Sequence, residues 1–238
     1  MADRYFAPEL PATGPLVLVG DEARHLARVA RREVGDFVEV FDGRGRAFVA
    51  RVDSIERDRV VLILGSEIDD RRPSVDLSLF VAVPKGDRFD WLVEKATELG
   101  VARLLPLKAE RSVVDPRMAK IERLRRAVIE ASKQCGRNRL MIVDEPASVP
   151  RALQSEEFPI RLFADAGGLP PSRWPVVSAG SRVALAIGPE GGWTDAERRL
   201  AAECGWTVVG LGPTRLRVET AAIAGSSILF SQVSESTS

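Results

Sequence analysis

The sequence predicts a two-domain α/β protein, in which a small β-rich module of barrel type precedes a larger domain with a parallel sheet. Three observations lead to this fold class. Residues 15 to 64 consist mostly of short apolar runs, the chain after residue 73 alternates such runs with helical stretches, and a polar segment lies between the two parts. Strands that alternate with helices imply a largely parallel sheet covered by helices.

The β-rich module contains four predicted strands and one helix. The strands cover Leu16–Val19, Phe37–Phe41, Ala47–Val52 and Val60–Leu64. Short apolar and alternating runs, with an Asp42-Gly43 turn after the second, are typical of a small β module. The polar, proline-containing segment Ser66–Ser74 predicts a domain boundary near Arg72, so we assign residues 1–72 and 73–238 to two domains.

The helix predicted over Asp21–Arg32 carries a cluster of arginines. At 100° per residue, Leu26, Val29 and Ala30 lie on one side. The opposite side and its edge hold Arg24, Arg28, Arg31 and Arg32. An RNA phosphate backbone would attract such a face, although a solvated amphipathic helix explains it about as well. A second basic stretch, Leu107–Arg139, holds ten Lys/Arg against four Asp/Glu, and this excess favours a polyanion as partner.

In the second domain, five predicted strands alternate with four helices. The strands cover Leu77–Val83, Leu104–Leu107, Ile160–Phe163, Val183–Ile187 and Val208–Leu211. The helices cover Phe89–Leu99, the stretch from Pro116 to Cys135, Asp195–Cys204 and Glu219–Phe230. Thr194 and Glu197 match the capping-box pattern S/T-x-x-E, which indicates a helix start at that point. The polar tail Ser234–Ser238 is expected to fray.

Two glycine loops follow consecutive predicted strands of the second domain. They are Gly188-Pro189-Glu190-Gly191-Gly192 and Gly210-Leu211-Gly212-Pro213. Ligands of open α/β sheets bind at the carboxyl ends of strands, and glycine lets the backbone approach a ligand closely. Neither loop continues as a P-loop, and the dinucleotide fingerprint G-x-G-x-x-G is absent. The pair therefore predicts a pocket for a nucleoside held by backbone groups rather than for a phosphate.

Charged residues follow two of the predicted strands and form candidate sites. Arg217 and Glu219 lie where the second glycine loop meets the last helix, and the ligand-binding edge of the sheet is expected there; a helix-capping salt bridge is the less favoured alternative. Lys85-Gly86-Asp87-Arg88 follows the first strand of the domain, and a solvated turn explains it about equally well.

The composition excludes several classes of protein. The 238 residues are 45% hydrophobic and have a formal net charge of zero, and their apolar runs are too short for a membrane span. Two distant cysteines and a start without signal-peptide features predict a reduced, cytoplasmic protein. With a single histidine, no metal site is expected.

The order of motifs resembles the bacterial ribosomal RNA small-subunit methyltransferase E family, of the SPOUT class. No single motif is specific, but together they span nearly the whole chain. The matching residues are His25-Leu26 to Arg31 with Gly35-Asp36, Lys85–Arg88, Glu94–Gly100, Glu130-Ala131 with Gln134 and Arg137, Ile187–Gly192, Leu211–Pro213, Leu216-Arg217 and Glu219–Ala221.

The resemblance implies a PUA-like N-terminal β-barrel that engages RNA and a C-terminal SPOUT domain with a trefoil knot. General topology rules would argue against such a knot. It also implies a homodimer, S-adenosyl-L-methionine as cofactor, and methylation of uracil N3 at one uridine of 16S rRNA, usually numbered 1498, in the small ribosomal subunit. Uracil N3 lies on the pairing edge of the base, so that uridine would have to be unpaired or flipped out.

The positions and chemistry of the residues, taken with the resemblance, suggest their roles. Arg217 and Glu219 are the catalytic candidates, and Glu190 is a possible base or pocket former. The cofactor-binding candidates are Phe163, Ala164, Ile187, Gly188, Pro189, Glu190, Gly191, Gly192, Leu211, Gly212 and Leu216. The RNA-binding candidates are Arg24, Arg28, Arg31, Arg32, Lys85, Arg88 and Arg137.

The chain departs from the family pattern at two places. Thr214-Arg215 stands where the family usually has Arg-Ile, and the strand ending Phe163-Ala164-Asp165-Ala166 lacks the His-Pro pair often seen at that loop. Two other functions remain open at this point. A non-enzymatic RNA-binding or ribosome-assembly protein would bind no cofactor, and a dehydrogenase-like enzyme would bind a phosphate-bearing one.

Overall fold

A computed structural model describes residues 3–112, 114 and 118–233, without the side chains of residues 118–120. Its contacts divide the chain into two compact units. One is Met1–Arg71 with Ile129–Leu140, and the other is Arg72–Val128 with Met141–Ser238. The predicted division at residue 72 assigned residues 129–140 to the second domain, and it stays a prediction. Pro116 and the tail after residue 233 lie outside the described residues.

The first unit is built on a five-stranded sheet. Its strands are β1 (Arg4–Phe6), β2 (Pro15–Val19), β3 (Phe37–Phe41), β4 (Ala47–Ile55) and β5 (Arg59–Glu67). They lie in the order β1-β3-β4-β5-β2, and all pairs are antiparallel except β1 with β3. The four predicted strands are present, and β1 is an addition. Alternate apolar residues of these strands, such as Leu16 and Leu18, bury their side chains in one core.

The helix after β2 is shorter and less regular than predicted. A single α-helical turn, α1 (Gly20–Arg24), continues into a π-helical turn, His25–Val29, in which the Ala30 N–H donates to the His25 carbonyl at 2.9 Å. This wider turn breaks the 100° spacing on which the prediction rested. Val29, predicted to face the core, is therefore 68% exposed. Arg31 has a φ of 51° and ends the helical path.

The predicted arginine face is consequently not one acid-free helical surface. Arg24 pairs with Asp21, and Arg32 Nε lies 2.9 Å from Asp3 Oδ2. The hydrogen bond with Asp3 raises the pKa of Arg32. Arg28 donates to a backbone carbonyl of the β4–β5 turn at 3.4 Å. The prediction had considered only acids within the helix, and the acid at position 3 comes from a distant part of the sequence.

A buried arginine anchors the segment Ile129–Leu140 within the first unit. Arg4 donates to the Ser132 carbonyl at 3.2 Å and to Asn138 Oδ1 at 2.5 Å. Its Nε lies 3.0 Å from Glu39 Oε2 on β3. The side chain is 2% exposed, and burial lowers the pKa of Arg4. One guanidinium thus joins a strand to a segment more than 120 residues away.

The second unit is built on a parallel sheet. Its strands are β6 (Asp76–Ala82), β7 (Arg103–Lys108), β8 (Ile142–Val143), β9 (Ala147–Ser148), β10 (Ile160–Leu169), β11 (Arg182–Ile187) and β12 (Thr207–Val209). The order is β12-β10-β11-β6-β7-β8, with β9 also on β7, and every described pairing is parallel. The predicted parallel sheet is confirmed. The short strands β8 and β9 escaped prediction because two residues carry no periodicity.

Five helices accompany this sheet. They are α2 (Arg88–Leu99), α3 (Met118–Cys135), α4 (Val149–Leu153), α5 (Asp195–Glu203) and α6 (Val218–Gln232). The second half of α3 falls within the segment that groups with the first unit. α6 packs closely on β11, because a Cβ at Gly225 would lie 2.6 Å from Leu185 Cδ2. The small-residue helix predicted from sequence therefore lies directly against the strand that leads to the first glycine loop.

Replacing Arg4 with alanine should lower the free energy of unfolding of the first unit by about 3–5 kcal/mol, because buried acceptors and one carboxylate lose their partner. Arg59→Ala, at the exposed start of β5, is the matched control and should change it by less than about 0.5 kcal/mol. Urea denaturation measures both. Equal losses in the two variants would contradict the anchoring role.

Candidate functional site

A cavity of about 660 Å³ lies at the carboxyl ends of three neighbouring strands. Its walls come from residues 164–167 of β10, 187–193 after β11 and 210–216 after β12, with Arg111 and Val218 among the remaining contributors. Ligand pockets in proteins span about 300–1,000 Å³. The two predicted glycine loops thus form one pocket, and a third segment from β10 completes it.

The wall from β10 arises from an irregularity in the sheet. The pairing register with β12 shifts between Ala164 and Leu169, so the intervening residues leave the ladder. Two glycines allow β10 to pair with β12 again after this irregularity. A Cβ at Gly168 would lie 2.4 Å from the Val209 carbonyl carbon, and one at Gly210 would lie 2.9 Å from the Gly168 carbonyl oxygen. Only side-chain-free residues permit this backbone crossing.

The Trp193 indole joins the first two walls of the cavity. It is 1% exposed and stacks on Phe163 with ring centroids 4.4 Å apart. Its Nε1 donates to the Ala164 carbonyl at 2.9 Å. A Cβ at Gly188 would lie 2.6 Å from this indole. Gly188 is therefore needed for packing against Trp193, whereas the sequence had suggested close approach to a ligand.

The helix start behind the first glycine loop is as predicted. Thr194 Oγ1 accepts from the Glu197 N–H at 3.2 Å, and Glu197 Oε2 accepts from the Thr194 N–H at 2.8 Å. This reciprocal pair is a capping box at the first turn of α5. Glu197 Oε1 also accepts from the Glu110 N–H at 3.1 Å, so the cap fixes the loop after β7 as well.

Ten of the eleven predicted cofactor-binding residues line the cavity. They are Ala164, Ile187, Gly188, Pro189, Glu190, Gly191, Gly192, Leu211, Gly212 and Leu216. Phe163 is the exception, because its ring is fully buried against Trp193. Its apolar side chain serves the core, and only its neighbour Ala164 reaches the cavity.

Four charged residues that line the cavity were not among the predicted site residues, namely Arg111, Asp165, Arg198 and Arg215. Arg111 Nη1 donates to the Gly191 carbonyl at 3.1 Å. Asp165 Oδ2 lies 2.6 Å from Arg198 Nε, and this hydrogen bond raises the pKa of Arg198. The sequence analysis had named Asp165 and Arg215 only where the chain departs from the family pattern. The partner of Asp165, Arg198, lies 33 residues away and could not be predicted from local spacing.

The catalytic candidates lie at the start of α6, beside the cavity. Arg217 is the exposed N-cap residue, and Val218, which follows it, lines the cavity. Glu219 is buried in the first helical turn, and its Oε2 has no hydrogen-bond partner among the described residues. Its Oε1 lies 3.5 Å from Arg88 Nη1. The same nitrogen lies 3.0 Å from Oε1 of the cavity residue Glu190.

The three remaining RNA-binding candidates have different surroundings. Lys85 is exposed at the end of β6, whereas Arg88 contacts two carboxylates instead of open solvent. Arg137, in the first unit, is partly buried, and burial lowers its pKa. Of these three, Lys85 has the exposure expected of a phosphate contact.

Known proteins resemble both parts of the chain. Residues 71–230 match the family model of an RNA methyltransferase domain, and residues 18–65 match that of an RNA methyltransferase PUA domain. The small subunit methyltransferase E of Synechocystis sp. is 32% identical over 90% of this chain and 72% of its own length. The Bacillus subtilis protein of the same name is 31% identical over 90% of this chain and 89% of its own length.

Solved structures give the same result. The methyltransferase E of Neisseria gonorrhoeae, bound to S-adenosyl methionine, superposes with a TM-score of 0.91 at 29% identity over 100% of both chains. A Legionella pneumophila methyltransferase in complex with the bound cofactor SAM gives a TM-score of 0.90 at 30% identity over 98% of both. The cofactor implied by the sequence resemblance is the one that these relatives bind.

Fold and site together define an RNA methyltransferase with an N-terminal PUA domain and a cofactor-sized pocket at the carboxyl ends of its parallel sheet. More narrowly, the chain belongs to the ribosomal RNA small subunit methyltransferase E family. The family and the two-part fold class expected from the motifs are confirmed, and the trefoil knot stays a prediction. Among the described residues, no helix is long and apolar enough to cross a membrane.

Gly188→Ala should lower the free energy of unfolding by about 1–3 kcal/mol, because the new methyl group would overlap the Trp193 indole. In a Trp193→Leu background the same change should cost much less, since the smaller side chain leaves room. Thermal or urea unfolding of the four proteins in this cycle measures the coupling. Additive losses would show that Trp193 is not what requires glycine at position 188.

Proposed function

We propose that the protein transfers a methyl group from S-adenosyl-L-methionine to N3 of one uridine in 16S rRNA, the uridine numbered 1498. The observation that carries this proposal is the juxtaposition of a backbone-walled cavity with a buried carboxylate. Arg88 Nη1 contacts both Glu190, which lines the cavity, and Glu219, which lies at its edge. A pocket for a nucleoside cofactor and a proton acceptor thus lie side by side.

The residues present fit the cofactor. Gly167 and Gly212 line the cavity with φ of 79° and 127°, and a Cβ on either would meet no atom within 4 Å. The wall there is bare backbone, which offers N–H and C=O groups to a nucleoside. Apolar side chains such as Ile187 and Leu216 would cover the adenosine. When bound, S-adenosylmethionine supplies a methyl group on a sulfonium, which is a good leaving group.

The chain must then orient the uracil and accept its N3 proton. We assign the acceptor role to Glu219, whose carboxylate is buried in the first turn of α6 and whose Oε2 has no hydrogen-bond partner among the described residues. Loss of the proton leaves negative charge on the two uracil oxygens. Arg217, exposed beside the cavity residue Leu216, is suited to stabilise that charge. Fixed placement of both reactants supplies about 7–11 kcal/mol of the barrier.

Basic residues of both units would hold the RNA around an unpaired uridine. Six of the seven predicted RNA contacts belong to this proposal, namely Arg24, Arg28, Arg31, Arg32, Lys85 and Arg137, whereas Arg88 contacts two carboxylates. Arg28, Arg31 and Lys85 are exposed and are the members that the described ion pairs leave for phosphates. Such contacts release counterions, so binding should weaken with salt. The substrate would be the small ribosomal subunit, encountered in the cytoplasm, and the active form a homodimer.

Incubation with labelled S-adenosylmethionine tests the reaction. The protein should label small ribosomal subunits that lack the modification, and nucleoside mass spectrometry should find the label as N3-methyluridine at one position. Subunits already methylated there are the control and should take up none. A label on another base would contradict the proposed specificity. Binding of RNA without any label would favour a non-enzymatic assembly protein.

Arg217→Ala should lower kcat by about 100-fold, because a charge-stabilising donor is lost at the step where charge develops. The Kd of S-adenosylhomocysteine should stay within about twofold, since Arg217 does not line the cavity. Single-turnover methylation and calorimetry measure the two quantities. Arg173→Ala, on a 3-10 turn after β10, is a control for the loss of one positive charge. Unchanged turnover in Arg217→Ala would remove this residue from the mechanism.

A further inference from the structure

Arg88 connects three elements of the second unit. It is the first residue of α2, and its Nε donates to the Lys85 carbonyl at 3.1 Å, which fixes the side chain against its own turn. Its Nη1 lies 3.0 Å from Glu190 Oε1 and 3.5 Å from Glu219 Oε1. A single nitrogen therefore serves one carboxylate from the glycine loop after β11 and one from the first turn of α6.

The carboxylate of Glu219 depends on this contact. Its side chain is 9% exposed, whereas those of Arg88 and Glu190 are 33% and 36% exposed. A buried carboxylate needs a counter-charge and hydrogen-bond donors. Arg88 forms an ion pair with Oε1 of Glu219. Oε2 of Glu219 is buried and has no hydrogen-bond partner among the described residues. Arg88 thus engages one oxygen and leaves the acceptor capacity of the other unused.

A phosphate contact by Arg88 would conflict with this arrangement. A guanidinium that turned toward RNA would leave two carboxylates, one of them nine-tenths buried, without their shared cation. Removing one partner of a buried ion pair is strongly unfavourable. The role implied by the resemblance is therefore a poor fit for Arg88, and Lys85, three residues earlier and exposed, is the better phosphate contact.

We propose that Arg88 is a positioning residue for methyl transfer, which holds the Glu219 carboxylate at the edge of the cavity and ties it to Glu190 of the glycine loop. This inference rests on the proposed function. Because Arg88 occupies Oε1 of Glu219, Oε2 is the oxygen that takes the N3 proton of the uracil. Because the same nitrogen contacts Glu190, the position of the glycine loop and that of the proton acceptor are coupled.

The test separates positioning from RNA binding. Arg88→Ala should lower kcat by about 10- to 100-fold, because a small misplacement of a reacting group is enough for such a loss. The Kd for a uridine-containing fragment of 16S rRNA, measured by fluorescence anisotropy with S-adenosylhomocysteine present, should stay within about twofold. The slope of log Kd against log salt concentration should also be unchanged. Arg88→Lys, which keeps the charge, should recover part of kcat.

Arg182→Ala is the matched control. Arg182 is a half-exposed arginine at the opposite end of β11, with weak ion pairs to Asp76 and Glu157 at 4.0 Å. Its replacement removes the same charge from the same unit and should change neither kcat nor the RNA Kd. Melting temperatures of all variants identify any that fail to fold.

A double-mutant cycle shows through which residue Arg88 acts. If it acts through Glu219, Arg88→Ala should cost much less in a Glu219→Gln background than in the wild type. The inference is overturned if Arg88→Ala keeps wild-type kcat but raises the RNA Kd and lowers the salt slope by about one charge. Additive losses in the cycle would also overturn it. A wild type that transfers no methyl group to uridine would overturn the proposed function as well.

Discussion

The packing of the Trp193 indole is the contact on which the cofactor cavity depends. The ring stacks on Phe163, donates to the Ala164 carbonyl and fills the space that a side chain at position 188 would need. Two walls of the cavity, from β10 and from the loop after β11, are thereby held at a fixed separation. A site whose walls are fixed in advance binds a ligand with a smaller entropic cost.

At the edge of the cavity, two ion pairs add to this packing of aromatic rings. The guanidinium of Arg88 draws together Glu190, which belongs to the cavity, and Glu219, which belongs to the helix behind it. The ion pair with Arg88 matters most for Glu219, because a buried carboxylate has little water to solvate its charge if the guanidinium is removed. In the proposed mechanism, the wall of the cofactor pocket and the proton acceptor are therefore joined by one guanidinium.

The sequence predicted a structural feature correctly where the residues that produce it lie close together in the chain. Alternating strands and helices predicted the parallel sheet, and the Thr194–Glu197 spacing predicted the capping box because both signals fall within a few residues. It was uninformative where the cause is distant. Trp193 lies against Gly188 because its ring stacks on Phe163 of another strand, and the two carboxylates that contact Arg88 lie more than 100 residues from it. The prediction of a regular helix over Asp21–Arg32 was wrong for a third reason. The chain makes a π-helical turn there, which does not follow the residue spacing of an α-helix.

Calorimetric titration with S-adenosylhomocysteine tests the central claim, that this cavity is the cofactor site. Gly212 lines it and Gly180 does not, yet both have positive φ and open space where a Cβ would stand. Both Gly→Leu variants place a side chain at a positive φ, and their melting temperatures show whether each still folds. We expect one ligand per chain in the wild type, affinity weakened by at least about tenfold, or ~1.4 kcal/mol, in Gly212→Leu, and little change in Gly180→Leu. No binding by the wild type, or equal affinity in Gly212→Leu, would contradict the account.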